Sequence, residues 1–175
     1  MFSHDIKGGV FSSQSDAASK NPTNPHADLF SILDQLERYR GFDGNFRFKL
    51  CYPELTWGEG GRKCNEWIQS SNPLTETTIT GFKAISLAFT ITSYKKPWGG
   101  LGKSPSQWPY AAIDDSPSQN AWWSAIGSTR VYNGGIPGPR YSVDAQANTL
   151  GVVKKVQLFV QNRASGKLIT QSNRL

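Results

Sequence analysis

"NFRFKLCY", residues 45–52, decides how the chain is to be read. Phe46, Phe48 and Leu50 alternate with Arg47 and Lys49. A period of two marks a strand with one face buried and the other wet. The same period runs through Ile85, Leu87, Phe89 and Ile91 in "TITGFKAISLAFTIT" (78–92). It returns in Val156, Leu158 and Val160 of "GVVKKVQLFVQ" (151–161). "AWWSAIGS" (121–128) is a shorter apolar candidate strand, on which Trp122 and Trp123 would face opposite sides. Between these strands, residues 53–77, 93–120 and 130–148 read as long, turn-rich loops. Loops on a rigid sheet are where binding residues usually sit.

One segment has the other period. In "NPHADLFSILDQLERYRG" (24–41), Leu29, Ile32, Leu33, Leu36 and Tyr39 share one helical face. Asn24 is a suitable cap, Pro25 fits the first turn and Gly41 is a natural stop. Asp34 and Arg38 stand at the spacing of a helical ion pair. The expected fold class is therefore α+β, mainly β: a twisted antiparallel sheet or β-sandwich with one N-terminal amphipathic helix and long loops. Residues 1–161 are expected to form a single globular domain, with 162–175 a polar C-terminal tail or edge strand.

The bulk composition agrees. Of 175 residues, 37% are hydrophobic and 18% charged, which sets the chain apart from disordered, charge-dominated sequences. Six Trp, six Tyr and nine Phe make the chain rich in aromatics; some rings must build the core and the rest are available for ligand contact. The net charge of +6 favours an acidic partner, or serves solubility alone. The basic pairs Lys95-Lys96 and Lys154-Lys155 are too sparse for a nucleic-acid footprint. No stretch is apolar enough to cross a bilayer. The opening "MFSHDIKGGVF" lacks the apolar core of a signal peptide, and Met1 reads as an added start on an excised domain.

Cys51 and Cys64 enclose a Gly-rich loop and suit a local disulfide; two buried free thiols are the alternative. Neither has a CxxC partner, and His4 and His26 are the only histidines, which argues against zinc. "PWGGLGKSPS" (97–106) imitates a phosphate loop, but Pro97 stands where the first glycine belongs and Pro109 would break the helix that must follow. There is no GxSxG elbow for a serine hydrolase. Asp114, Asp115, Glu54 and Glu66 are candidates for a pair of catalytic carboxylates, or are solvated surface acids. In "IDDSPSQ", Asp114 and Asp115 could hold Ca²⁺, or serve as a turn cap and a backbone anchor. Arg140, at the end of "NGGIPGPR", suits a carboxylate or sulfate, or ties its own loop to Asp114 or Asp115.

The phrases "FKLCYPELTW", "CNEWIQSSNP", "TGFKAISLAF", "GLGKSPS", "IDDSPSQNAWWSAIG" and "IPGPR" together resemble an uncharacterised module of extracellular multidomain proteins of marine invertebrates, over roughly residues 2–160. The resemblance implies an extracellular setting. More remotely, the layout is similar to fibrinogen-like and intelectin-type lectin domains, whose calcium and sugar residues have no match here. The expected function is that of a secreted, non-catalytic recognition or matrix module, binding carbohydrate or an acidic extracellular polymer. The expected contact residues are Trp57, Trp98, Lys103, Trp108, Tyr110, Trp122, Trp123 and Arg140. The alternatives are a self-assembling structural or biomineral matrix protein, and a small glycan-acting hydrolase.

Overall fold

The computed structural model describes residues 1–54, 62–88, 97–104, 110–115, 126–132, 136–137, 140–142, 150–152 and 154–161. In chain order its elements are β1 (Phe2–Asp5), a 3-10 turn (Ile6–Gly8), α1 (Gln14–Ala18), β2 (Ser19–Lys20) and β3 (Leu29–Ile32). A longer 3-10 segment (Leu33–Tyr39), β4 (Phe46–Cys51), β5 (Cys64–Gln69), β6 (Lys83–Ser86), β7 (Leu101–Lys103) and β8 (Ile113–Asp115) follow. The last elements are β9 (Val131–Tyr132), β10 (Ile136–Pro137), β11 (Arg140–Ser142), β12 (Leu150–Val152) and β13 (Lys155–Val160). The protein is α+β and mainly β. Among the described residues, seven strands form one antiparallel sheet in the order β2-β3-β1-β13-β4-β5-β6, and β7–β8, β9–β10 and β11–β12 are separate pairs.

The period-two reading of β4 and β13 holds. Phe46, Phe48, Leu50, Val156, Leu158 and Val160 are buried on one face. On the other face Lys49 lies opposite Glu66, 2.8 Å away, and Arg47 binds Asp43 at 2.6 Å. The late strand β13 sits between β1 and β4, so the sheet is complete only when both ends of the described chain meet at its centre. Leu33, Leu36, Phe11, Ala17, Leu101, Ile113 and Ile126 join the buried sheet face in one core.

The helix expected over 24–41 is not formed as such. Its first half is strand, Leu29–Ile32, paired with β1 and β2; its second half is the 3-10 segment. The apolar stripe is still core, because Leu33, Leu36 and Tyr39 recur every third residue and 3-10 geometry stacks such positions. That spacing also changes the pairing. Arg38 reaches Gln35 at 3.4 Å, rather than Asp34, and Arg40 binds Glu37 with two bonds of 2.8 Å. Arg40 also lies 4.2 Å over the Phe46 ring and donates to the carbonyls of Gly44 and Ser70, so one guanidinium ties the 3-10 segment to β4 and β5.

The strand expected over 78–92 is β6, Lys83–Ser86, within the described residues; positions 89–96 lie outside them. Ile85, expected in the core, is 56% exposed. Between Glu66 and Trp67 the register slips: Glu66 faces Ser86 and Trp67 faces Ala84, leaving Ile85 as the extra residue of a bulge. A bulged residue has no cross-strand partner and is thrown off the face that the simple alternation assigns it.

Residues 53–77, read as loop, contain β5, an interior strand between β4 and the edge strand β6. Its core face carries Asn65, Trp67 and Gln69, all buried, so two polar residues conceal the pattern. Gln69 justifies its burial through its bonds. Its Oε1 accepts from the Trp67 indole N–H at 2.7 Å and from Leu101 N at 3.2 Å; its Nε2 donates to Leu101 O and Ser71 O, each at 2.9 Å. Cys51 and Cys64 lie directly opposite each other on β4 and β5 and form a disulfide.

Candidate functional site

The phosphate-loop look-alike is strand β7. A side chain at Gly102 would meet the Thr77 carbonyl oxygen at 2.8 Å, so this glycine permits close backbone packing. Lys103 follows, exposed at the strand end, and pairs in register with Ile113 of β8. Ile113 in turn bridges Ile126. The segment 126–129 therefore extends the β7–β8 pair, and Thr129 N donates to Tyr110 O at 2.9 Å.

The N-terminal segment closes against this edge. Phe11 N donates to Ser128 O at 2.9 Å, and the Gln14 amide donates to Ala111 O at 2.8 Å. Ser13 caps α1 by accepting from Asp16 N at 3.0 Å. The result is a shallow groove of about 520 Å³, lined by Ser12, Ser13, Gln14, Ser15 and Thr129. Arg130 follows the groove residue Thr129 in the chain, and its exposed guanidinium rests 4.5 Å from the centre of the half-buried Tyr110 ring.

The groove lining is neutral. Burial pushes the Asp16 carboxyl up, but the Ser12 N–H and the Lys20 ammonium outweigh it and hold the acid below its ordinary value. Asp16 and Ser13 satisfy the backbone donors at the start of α1. The lining carries hydroxyl and amide groups, which can donate and accept together; the Gln14 amide is anchored on Ala111 O, and the Ser13 hydroxyl lies 2.8 Å from that of Ser15 and accepts from Asp16 N.

Gly127 sets the distance between α1 and the strand below it. Its φ is +72°, and a Cβ there would stand 2.6 Å from the Ala17 Cβ and 3.2 Å from the Ala112 Cβ. Gly127→Ala is expected to cost about 2 kcal/mol, from the left-handed backbone and the overpacking together. It should also weaken amide protection at Phe11. A urea melt and hydrogen exchange check both; an unchanged midpoint would mean that α1 is not held by this contact.

The other expected site residues fall as follows. Trp98 was expected on an exposed loop and is instead in the core, 5% exposed, with its ring edge-on to Trp67 at 5.3 Å. Trp57, Trp108, Trp122 and Trp123 lie outside the described residues, as does the stretch 162–175. Arg140 opens β11 opposite Val152, and Asp115 lies on β8 opposite Leu101; their side chains are outside the description. Asp114 is buried on β8. Glu66 is engaged with Lys49, and Glu54 accepts from the backbone N–H groups of Lys154 and Lys155. Among the described residues no three of His, Cys, Asp and Glu gather as a metal would require. No helix among them is long and apolar enough to cross a membrane. Among the described contact residues, Tyr110 is joined to the groove through the Thr129 N–H, and Trp98 and Lys103 do not line it. Arg130, Thr129 and Ser12–Ser15 carry no local sequence signal, because only the tertiary fold joins segments about a hundred residues apart.

Compared with protein-family models, curated proteins and solved structures, the chain matches none.

Proposed function

We propose that the protein is a secreted, non-catalytic recognition or matrix module. It binds carbohydrate or an acidic extracellular polymer, with the Ser12–Ser15/Thr129 groove and the Tyr110–Arg130 pair as the contact surface. The observation that carries this reading is the exposed guanidinium on Tyr110 beside a groove lined by hydroxyls, an amide and no carboxylate. Sugar hydroxyls need partners that both donate and accept, which serine and threonine supply. Arginine adds a planar donor fork that fits a carboxylate or sulfate. Tyr110 has one face under Arg130, so it is not a two-sided platform. The Cys51–Cys64 bridge suits an oxidising compartment. Glu54 and Glu66 are held by backbone and lysine, which favours recognition over glycan cleavage.

A glycan array read at low and high salt tests the proposal. Wild type is expected to bind, with acidic glycans falling away at high salt as exposed charges are screened. Arg130→Gln is expected to weaken the acidic glycans about tenfold, the loss of one charge-assisted contact. A flat array at both salts would remove the recognition reading. Concentration-dependent sizing would then decide whether a self-assembling matrix protein remains. Unchanged binding by Arg130→Gln would place the site elsewhere.

A further inference from the structure

His4 lies on β1, fully buried, and nothing above uses it. It faces Leu29 of β3 and Val156 of β13 in register. Its ring sits edge-on to Phe11 at 5.2 Å and to Phe2 at 6.4 Å, and those two phenylalanines stack at 5.7 Å. Nε2 is 2.8 Å from the Gly9 carbonyl oxygen, so Nε2 carries the proton. Nδ1 is buried with no hydrogen-bond partner among the described residues. The neutral imidazole fits this place; a second N–H would point at nothing that can accept it.

The position of that bond gives it a wider reach. Gly9 and Phe11 are clamped to β1 by the imidazole and the ring stack. Phe11 N also holds Ser128 O, one residue before Thr129. Ser12–Ser15, four of the five groove residues, follow immediately. We propose that His4 is a proton-operated latch on this groove: uptake of a proton at Nδ1 releases the segment Gly9–Ser15 and dissolves the groove. Its use as a control on binding rests on the recognition reading above; the latch itself does not.

The surrounding charges are few. Asp5 follows His4 on β1 and favours the charged ring, but its carboxylate already accepts from Lys7 N at 3.1 Å. Asp28 precedes the facing residue of β3, and Lys154 and Lys155 precede that of β13. Burial lowers the His4 pKa, and this outweighs the Gly9 bond and Asp5, which raise it. An aromatic ring face returns little of that loss to a cation. The closed form therefore binds protons less readily than the open form. Closure is fully stable above the free imidazole value of about 6.5, and the opening constant rises up to about tenfold for each pH unit below it.

Amide hydrogen exchange of the wild-type protein tests this, as protection factors at Phe11 and Ser12–Ser15 against those of Phe48 and Trp67. Between pH 7.5 and 5.5, Phe11 is expected to lose protection about tenfold, while staying less protected than the sheet at both pH values. His4→Phe is expected to abolish the pH dependence. Should that variant not fold, the groove amides of wild type must titrate together with the His4 ring in NMR spectra. Constant protection at Phe11, groove amides that ignore the His4 titration, or loss only together with Phe48 and Trp67 would each overturn the latch. Dextran sulfate separates the two claims. Loss of protection with no dextran sulfate binding at pH 7.5 keeps the latch and counts against recognition of acidic polymer. Binding that is equal at both pH values, with constant exchange, overturns the latch and keeps the recognition reading.

Discussion

Trp67→Ala is expected to remove about 3–5 kcal/mol of folding free energy, the range for deleting a large buried ring. Trp67 is fully buried at the middle of the core. Phe48 and Trp98 pack against it with ring centres 5.4 and 5.3 Å away. Alanine would leave a cavity between β4, β5 and the Trp98 segment. It would also take from Gln69 Oε1 its shorter donor, leaving only Leu101 N. Trp67→Phe separates the two effects: it keeps most of the volume and gives up the N–H, and is expected to cost about 1–3 kcal/mol. Urea midpoints at unchanged slope read both values. A cost below about 1 kcal/mol for the alanine variant would mean that the core lies elsewhere.

Replacing both cysteines, Cys51→Ser with Cys64→Ser, is expected to cost about 3 kcal/mol, the chain-entropy contribution of a loop this short. The effect should spread along a defined path. Tyr52 N bonds to Lys63 O at 3.0 Å, extending the β4–β5 pairing one step past the bridge. Two residues on, Glu54 Oε1 accepts from Lys155 N at 2.9 Å and from Lys154 N, which anchors the entry to β13. Loss of the bridge should therefore raise exchange at the Lys155 amide more than at Val160, at the far end of the same strand. Equal protection at both amides, with the midpoint unmoved, would show that strand pairing alone holds this corner.

The legible parts of the fold were those where one physical signal acted alone. β4 and β13 have apolar residues on one face and polar or half-buried ones on the other, and both stand where their alternation puts them. The bridge followed from two cysteines flanking a glycine-rich loop. The illegible parts were those where tertiary contacts overrode a local pattern. Leu29–Ile32 satisfies a helical stripe as well as it satisfies a strand, and pairing with β1 on one side and β2 on the other decides for the strand. β5 hides behind Asn65 and Gln69, whose burial depends on acceptors and donors on distant segments, Leu101 among them. β1 is four residues long and has only Phe2 and His4 to announce its core face.

The site was less legible than the fold. Tyr110 reads as a loop aromatic, but its partner Arg130 stands twenty residues on, with no periodicity linking them. The serines of 12–15 look like solvated turn residues until Phe11 and Gln14 dock them beside Thr129. The Gly- and Pro-rich neighbourhood of Trp98 suggests exposure, yet the ring is buried. Here that neighbourhood lets the backbone fold close over Trp67: a Cβ at Gly100 would lie 2.8 Å from Gln69 Oε1 and 3.3 Å from the Trp67 indole nitrogen.

Amide chemical-shift mapping with the strongest ligand from the glycan array is the most direct test of where recognition occurs. Perturbed signals are expected at Ser12, Ser13, Gln14, Ser15, Tyr110, Thr129 and Arg130, saturating together at one affinity. Shifts confined to the outward face of β4 and β5, around Lys49 and Glu66, would contradict the assignment of the groove as the binding surface.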